Sequence, residues 1–190
     1  MSITAAGTAW LAEVERRIAI NEGKRLTRYR DSNDIWTLGI GCNLERGDAP
    51  VMLRACGIDY AAVMADEAIT EVQATKLFTA CFAPIVASAR ASLEPGIYDA
   101  LTDARRFVLC DLNYNLGAAG WLDFTTSRNL LNLAQTAKMR GQEPTAHVLF
   151  GRCADDLAAD AWAAQTGDRA KRDIAMIRSG EWVDAAGDGS

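Results

Sequence analysis

The 190-residue chain reads as a predominantly helical α+β protein, and three observations carry that reading. Two short strand-like segments, Leu26 to Tyr29 and Trp36 to Ile40, flank the turn formers Asp31, Ser32, Asn33 and Asp34. One long helical stripe follows, and beyond it only helical patterns occur. With 49% hydrophobic and 24% charged residues, the chain can bury one good core, or two lobes sharing a helix.

Taken in order, Trp10, Leu11, Val14 and Ile18 recur on one face from about Thr8 to Asn21, which predicts an amphipathic helix ending just before Glu22. The hairpin comes next, with Thr37 expected back across it from Asp31. Gly47 to Gly57, with Pro50 and a Cys56-Gly57 break, reads as a loop, and a short helix is expected from Tyr60 to Ala65. Thr70 and Gln73 have capping-box spacing, and Val72, Leu77, Phe78, Phe82, Ile85 and Val86 mark a long helix to about Ala89. Pro84 should kink it or remove a hydrogen bond. A short helix is expected after Pro95, then a buried one through Phe107, Val108, Leu109, Leu112 and Leu116, closed by Gly117. Further helices are predicted at Thr126 to Ala137, Thr145 to Phe150, Ala154 to Ala163 and Asp168 to Arg178, with a frayed tail from Ala185 to Ser190.

Composition excludes several classes of function. A net charge of −5 with dispersed basic residues argues against nucleic acid as a partner. No apolar run comes near membrane-spanning length, so no stable membrane insertion is expected, and Met1 to Thr8 lack a secretory signal, which predicts synthesis in the cytoplasm. Cys42, Cys56, Cys81, Cys110 and Cys153 are odd in number and widely spaced, so buried free thiols are expected. His147 alone could add a nitrogen ligand, and is expected to be a partly buried structural histidine; neither metal nor other cofactor is predicted.

The chemistry lies in Glu22, Asp31 and Thr37. An acid that protonates a leaving oxygen, facing a carboxylate that handles water or the sugar cation, is the pair that glycosidic bond cleavage requires. Judged alone, a helix-terminal charge and a turn residue would be the better reading of Glu22 and Asp31. Their ordered context reverses it. Gly39 and Gly41 lack the third glycine and following helix of a dinucleotide loop, and fit tight packing at a strand end.

The stretch from Glu22 to Gly41 resembles the active-site hairpin of phage-type lysozymes, the family 24 glycoside hydrolases. The resemblance continues through Ile69 to Phe78, Tyr98 to Gly117 with its Arg105-Arg106 pair, and Phe124 to Leu131. It ends in Trp162 to Trp182, which contains Gln165-Thr166-Gly167-Asp168-Arg169. It implies a lysozyme-like two-lobe fold: a hairpin lobe over residues 22–69, a linking helix over 70–90, and a larger helical lobe from 1–21 with 91–184, glycan lying between the lobes. It also implies Glu22 as general acid, with Asp31 and Thr37 guiding the attacking water in an inverting reaction. Arg169 would pair with and orient the glutamate, and Asn43, Tyr114 and Ser127 would line the glycan site.

Three departures from the family pattern stand out: Cys42 in place of a frequent histidine, differing lengths over Arg46 to Asp66 and Lys138 to Gly151, and Asp156 where a glycan-contacting asparagine is expected. The expected function is a peptidoglycan muramidase of a phage or prophage, an endolysin that is a monomer and reaches the wall in the periplasm after release. The alternatives are a wall-binding or virion structural module that keeps the fold without turnover, and a tail-associated or secretion-linked lysozyme.

Overall fold

The computed structural model describes residues 5–184, and its elements are those of an α+β protein dominated by helix. Two compact units divide between Pro84 and Ile85.

The first unit begins with α1 (Ala5–Glu22) and a three-stranded antiparallel sheet of β1 (Arg25–Arg30), β2 (Trp36–Gly39) and β3 (Cys42–Asn43), in that order. Gly23, at φ +76°, ends α1 by donating its N–H to the Ala19 carbonyl at 2.8 Å, a left-handed stop that glycine adopts without strain. Gly39 and Gly41 also have positive φ, so their tight packing at the strand end is the turn that carries β2 into β3. Two helices follow, α2 (Ala49–Ala55) and α3 (Tyr60–Met64), the latter begun by the Asp59 carboxylate accepting the Ala61 N–H. α2 corrects the expected loop: Pro50 lies in its first turn, where a missing N–H costs nothing, so the proline opens the helix.

Leu38, Leu44, Leu53, Ile58, Val63, Ile69 and Leu77 form the core of this unit, with Leu26, Trp36 and Cys81 packed at its edge. Two cysteine expectations fail here. Cys42 on β3 and Cys81 form a disulfide across 39 residues, with Cα atoms 6.2 Å apart, because the fold brings the end of the sheet against a helix far along the chain. Cys56, Cys110 and Cys153 are buried free thiols as expected.

That helix is α4 (Glu71–Ala91), which runs through Pro84. The capping box forms as predicted: Gln73 donates its N–H to Thr70 Oγ1 at 3.2 Å, and Gln73 Oε1 accepts the Thr70 N–H at 2.9 Å. By length and composition α4 could cross a membrane, contrary to the expectation that no apolar run comes near that length. Its Ala74, Leu77, Phe78 and Phe82 are buried in the protein, and the two phenylalanine rings stack at 5.0 Å.

The second unit is helical: α5 (Ile97–Ala100), α6 (Asp103–Asp123), α7 (Thr125–Met139), α8 (Glu143–Ala159), α9 (Ala161–Thr166) and α10 (Asp168–Ser179). α6 holds the buried run Phe107 to Leu112 and breaks at Gly117, as the sequence predicted, before helix resumes to Asp123. The break expected between the predicted helices Thr145 to Phe150 and Ala154 to Ala163, at Gly151, does not occur. α8 passes through it, and the chain turns at Asp160, whose carboxylate accepts the Trp162 N–H at 2.8 Å to start α9. His147 is exposed on α8 rather than partly buried. The expected frayed tail, Ala185 to Ser190, lies outside the described residues.

Arg105 closes the end of α10. Its buried guanidinium donates to the carbonyls of Ile177 at 2.9 Å and Arg178 at 3.2 Å, and lies 3.4 Å from the centre of the Phe150 ring. A helix end leaves such carbonyls without partners, and a cation suits the negative end of the dipole. Burial lowers the Arg105 pKa to about 10.

Candidate active site

The hairpin has two unlike faces, because successive side chains on a strand alternate. On one, the guanidinium groups of Arg28 and Arg30 each lie 4.1 Å from the centre of the Trp36 ring. Arg28 also forms a forked pair with Asp66 at 2.7 and 3.2 Å, and Arg30 bonds Glu45 at 3.0 Å and the Asp34 carbonyl. Leu38 continues this face into the core.

The other face is the candidate site. Antiparallel register pairs Tyr29 with Thr37 and Thr37 with Asn43, so these three form one row across the sheet. Asp31 follows two residues after Tyr29 and shares its face. Thr37 lies back across the hairpin from Asp31 as expected, two residues along from its direct partner: Asp31 lies opposite Ile35, donating its N–H to the Ile35 carbonyl at 3.1 Å, and Thr37 lies opposite Tyr29.

Local hydrogen bonds fix the chemistry of this row. Asp31 Oδ1 accepts from the N–H groups of Asn33 at 2.8 Å and Ile35 at 2.9 Å, an Asx turn that holds the carboxylate while Asp34 takes φ +61°. Thr37 is buried and donates its hydroxyl proton to the Ile35 carbonyl at 3.0 Å, which leaves its oxygen lone pairs to accept from a water. Asn43 is exposed and its Oδ1 accepts the Glu45 N–H at 2.7 Å. Glu22 is the last residue of α1, exposed, and separated from β1 only by Gly23 and Lys24. Lys24 is itself tied down, 2.7 Å from Glu71 and 3.6 Å from Glu15, and its pKa is raised chiefly by the Glu71 hydrogen bond.

Tyr29, which sequence reasoning did not single out, is half-buried beneath Arg25, whose guanidinium lies 4.7 Å from the ring centre. Its phenol is shifted up, mainly by burial and in smaller part by the negative charges of Asp31 and Glu22. The hydroxyl thus lies within electrostatic reach of both candidate carboxyls. Alternation could have found it, since a tyrosine two residues before Asp31 must share its face.

In the second unit, Tyr114 is half-buried on α6. Ser127 on α7 is fully buried and donates to Asp156 Oδ2 at 2.6 Å, which brings together two positions that the sequence had noted separately. Arg169 holds the fully buried Asp111 in a forked pair at 2.7 and 2.8 Å. Asp173 is also buried, one of its carboxyl oxygens without a hydrogen-bond partner, and burial first, then the Asp111 charge, raises its pKa well above the usual carboxyl range. Neither aspartate was read from sequence, although an aspartate inside the apolar run Phe107 to Leu112 was a visible signal.

Among the described residues no cluster of histidine, cysteine and carboxylate could hold a metal ion. A family model described as phage lysozyme matches residues 19–146, more than half of the chain and the whole of the hairpin.

Proposed function

The chain belongs to the phage lysozyme family, which carries a peptidoglycan-lytic function of the lysozyme type, and on that footing we propose that it is a muramidase cleaving the β-1,4 bond between N-acetylmuramic acid and N-acetylglucosamine. The observation that carries the reading is that Asp31, Thr37 and Asn43 share one face of a hairpin that begins three residues after Glu22.

In the proposed reaction Glu22 gives its proton to the glycosidic oxygen as the bond to the anomeric carbon breaks. Asp31 accepts a proton from the attacking water, and Thr37, its own proton committed to the Ile35 carbonyl, accepts a hydrogen bond from the other O–H, which stays on the oxygen as the anomeric hydroxyl of the product. Water attacks the face opposite the leaving oxygen, so the product is the α-anomer and no sugar is bonded to the protein. Asn43 and Tyr114 would contact glycan, and Ser127 would act by fixing Asp156. The biological setting we propose is a phage or prophage endolysin, acting on the wall as a monomer.

Purified sacculi test this directly. Wild type should release fragments with reducing muramic ends and no anhydro sugar, the first product seen by NMR should be α, and Glu22→Gln should release nothing while melting like wild type. Retained lysis by Glu22→Gln would reject the acid role. Binding to sacculi without release of soluble fragments would reject turnover altogether.

A further inference from the structure

Tyr29 shares the hairpin face of Asp31, Thr37 and Asn43 but has no part in the proposed reaction. We propose that the Tyr29 hydroxyl is a positioning group of the cleavage site, a hydrogen-bond donor that sets the orientation of the site carboxyls; the proposal rests on the muramidase reading.

Three independent features point to it. Register places Tyr29 beside Thr37 at the head of the row that ends in Asn43, and alternation puts Asp31 on the same side. The ring is held: it is half-buried, with Arg25 stacked at 4.7 Å, so the hydroxyl has a defined place rather than a solvent-averaged one. The charged groups whose fields reach the phenol are Arg25 from its own strand, Asp31 from the turn and Glu22 from the end of α1, and the backbone of Gly41 also contacts it. A neutral phenol carries one proton to donate, and the carboxyls nearby are acceptors. Thr37 cannot supply that donor, since its own proton goes to Ile35.

A neutral phenol at this place adds no charge and does no proton transfer. A donor bonded to one carboxylate stabilises its ionised form, and so sets one limb of the pH–rate profile. Arg25 lies over the ring at 4.7 Å from its centre, so replacing tyrosine by phenylalanine removes the donor and keeps the stack.

The experiment compares wild type, Glu22→Gln, Tyr29→Phe and Tyr29→Leu on soluble uncross-linked glycan, with kcat and KM taken across pH and melting curves alongside. For Tyr29→Phe we expect a melting point close to wild type, unchanged KM, kcat lower by about tenfold, and one limb moved upward by roughly half a pH unit or more, the size of one lost hydrogen bond. Tyr29→Leu should add a loss of melting temperature. If wild type is active, Glu22→Gln is dead, and Tyr29→Phe matches wild type in kcat and in both limbs, the Tyr29 proposal falls and the muramidase reading stands. If wild type releases no reducing ends, the muramidase reading itself fails.

Discussion

Asp31 and Thr37 are pinned to the same residue. The Ile35 N–H holds the Asp31 carboxylate at 2.9 Å, while the Ile35 carbonyl accepts both the Asp31 N–H at 3.1 Å and the Thr37 hydroxyl at 3.0 Å. Two side chains proposed to steer one water thus share a single rigid peptide segment, and neither needs to be ordered when substrate arrives.

This arrangement separates two jobs of Asp31. Asp31→Asn keeps an oxygen for the Asn33 and Ile35 N–H groups, so it should melt near wild type and lose lysis of sacculi. Asp31→Ala loses the turn bonds too, and should cost about 1 kcal/mol of stability in addition. Equal stability of the two variants would show that the Asx turn contributes nothing.

The Cys42–Cys81 disulfide closes a 39-residue separation around the core of the first unit. Chain-entropy reasoning gives it about 3 to 4 kcal/mol. Cys81→Ser, or wild type with reductant, should melt correspondingly lower, and reductant should leave Cys81→Ser unmoved. Denaturant melts with and without reductant check this.

Asp173 should make stability fall as pH rises. Its native pKa lies well above its ordinary value of 3.8, so between the two the folded state holds a proton that the unfolded state has lost. Stability therefore declines upward from about pH 4 to the raised native pKa and then levels. Asp173→Asn carries no charge to bury. Its stability should lack that decline, so that it exceeds wild type most at neutral pH, as denaturant melts taken at several pH values will show.

Gly180 caps α10 at φ +80°, and a Cβ there would lie 2.9 Å from the Arg105 guanidinium. Gly180→Ala should cost about 2 kcal/mol or more, combining left-handed strain with displacement of Arg105 from its carbonyls. A thermal melt measures it, and a change below a few tenths of a kcal/mol would mean that the cap is easily remade.

What the sequence made legible follows physical range. The hairpin, the Thr70–Gln73 capping box and the Gly117 break are set by residues within a few positions of each other, so local patterns revealed them. Pro50 misled because a proline in the first turn and a proline in a loop look alike without knowing where the helix starts. Gly151 misled for the opposite reason: an interior glycine costs a helix only about 1 kcal/mol, which packing of α8 against its neighbours outweighs. The disulfide and the Arg169–Asp111–Asp173 cluster join residues dozens of positions apart, and no local signal records such a meeting. Of the candidate site, Glu22, Asp31 and Thr37 were proposed through resemblance, whereas Tyr29 was open only to the alternation that puts it on the face of Asp31.

Because β2 turns Trp36 and Leu38 one way and Thr37 the other, the hairpin separates anchorage from chemistry residue by residue. Changes at Arg28, Trp36 or Asp66 should tune how firmly the strand is moored without touching the face proposed to be catalytic, whereas a slip of one position would turn that face inward. The mooring and the blade can therefore be varied separately, but only while the pairing holds.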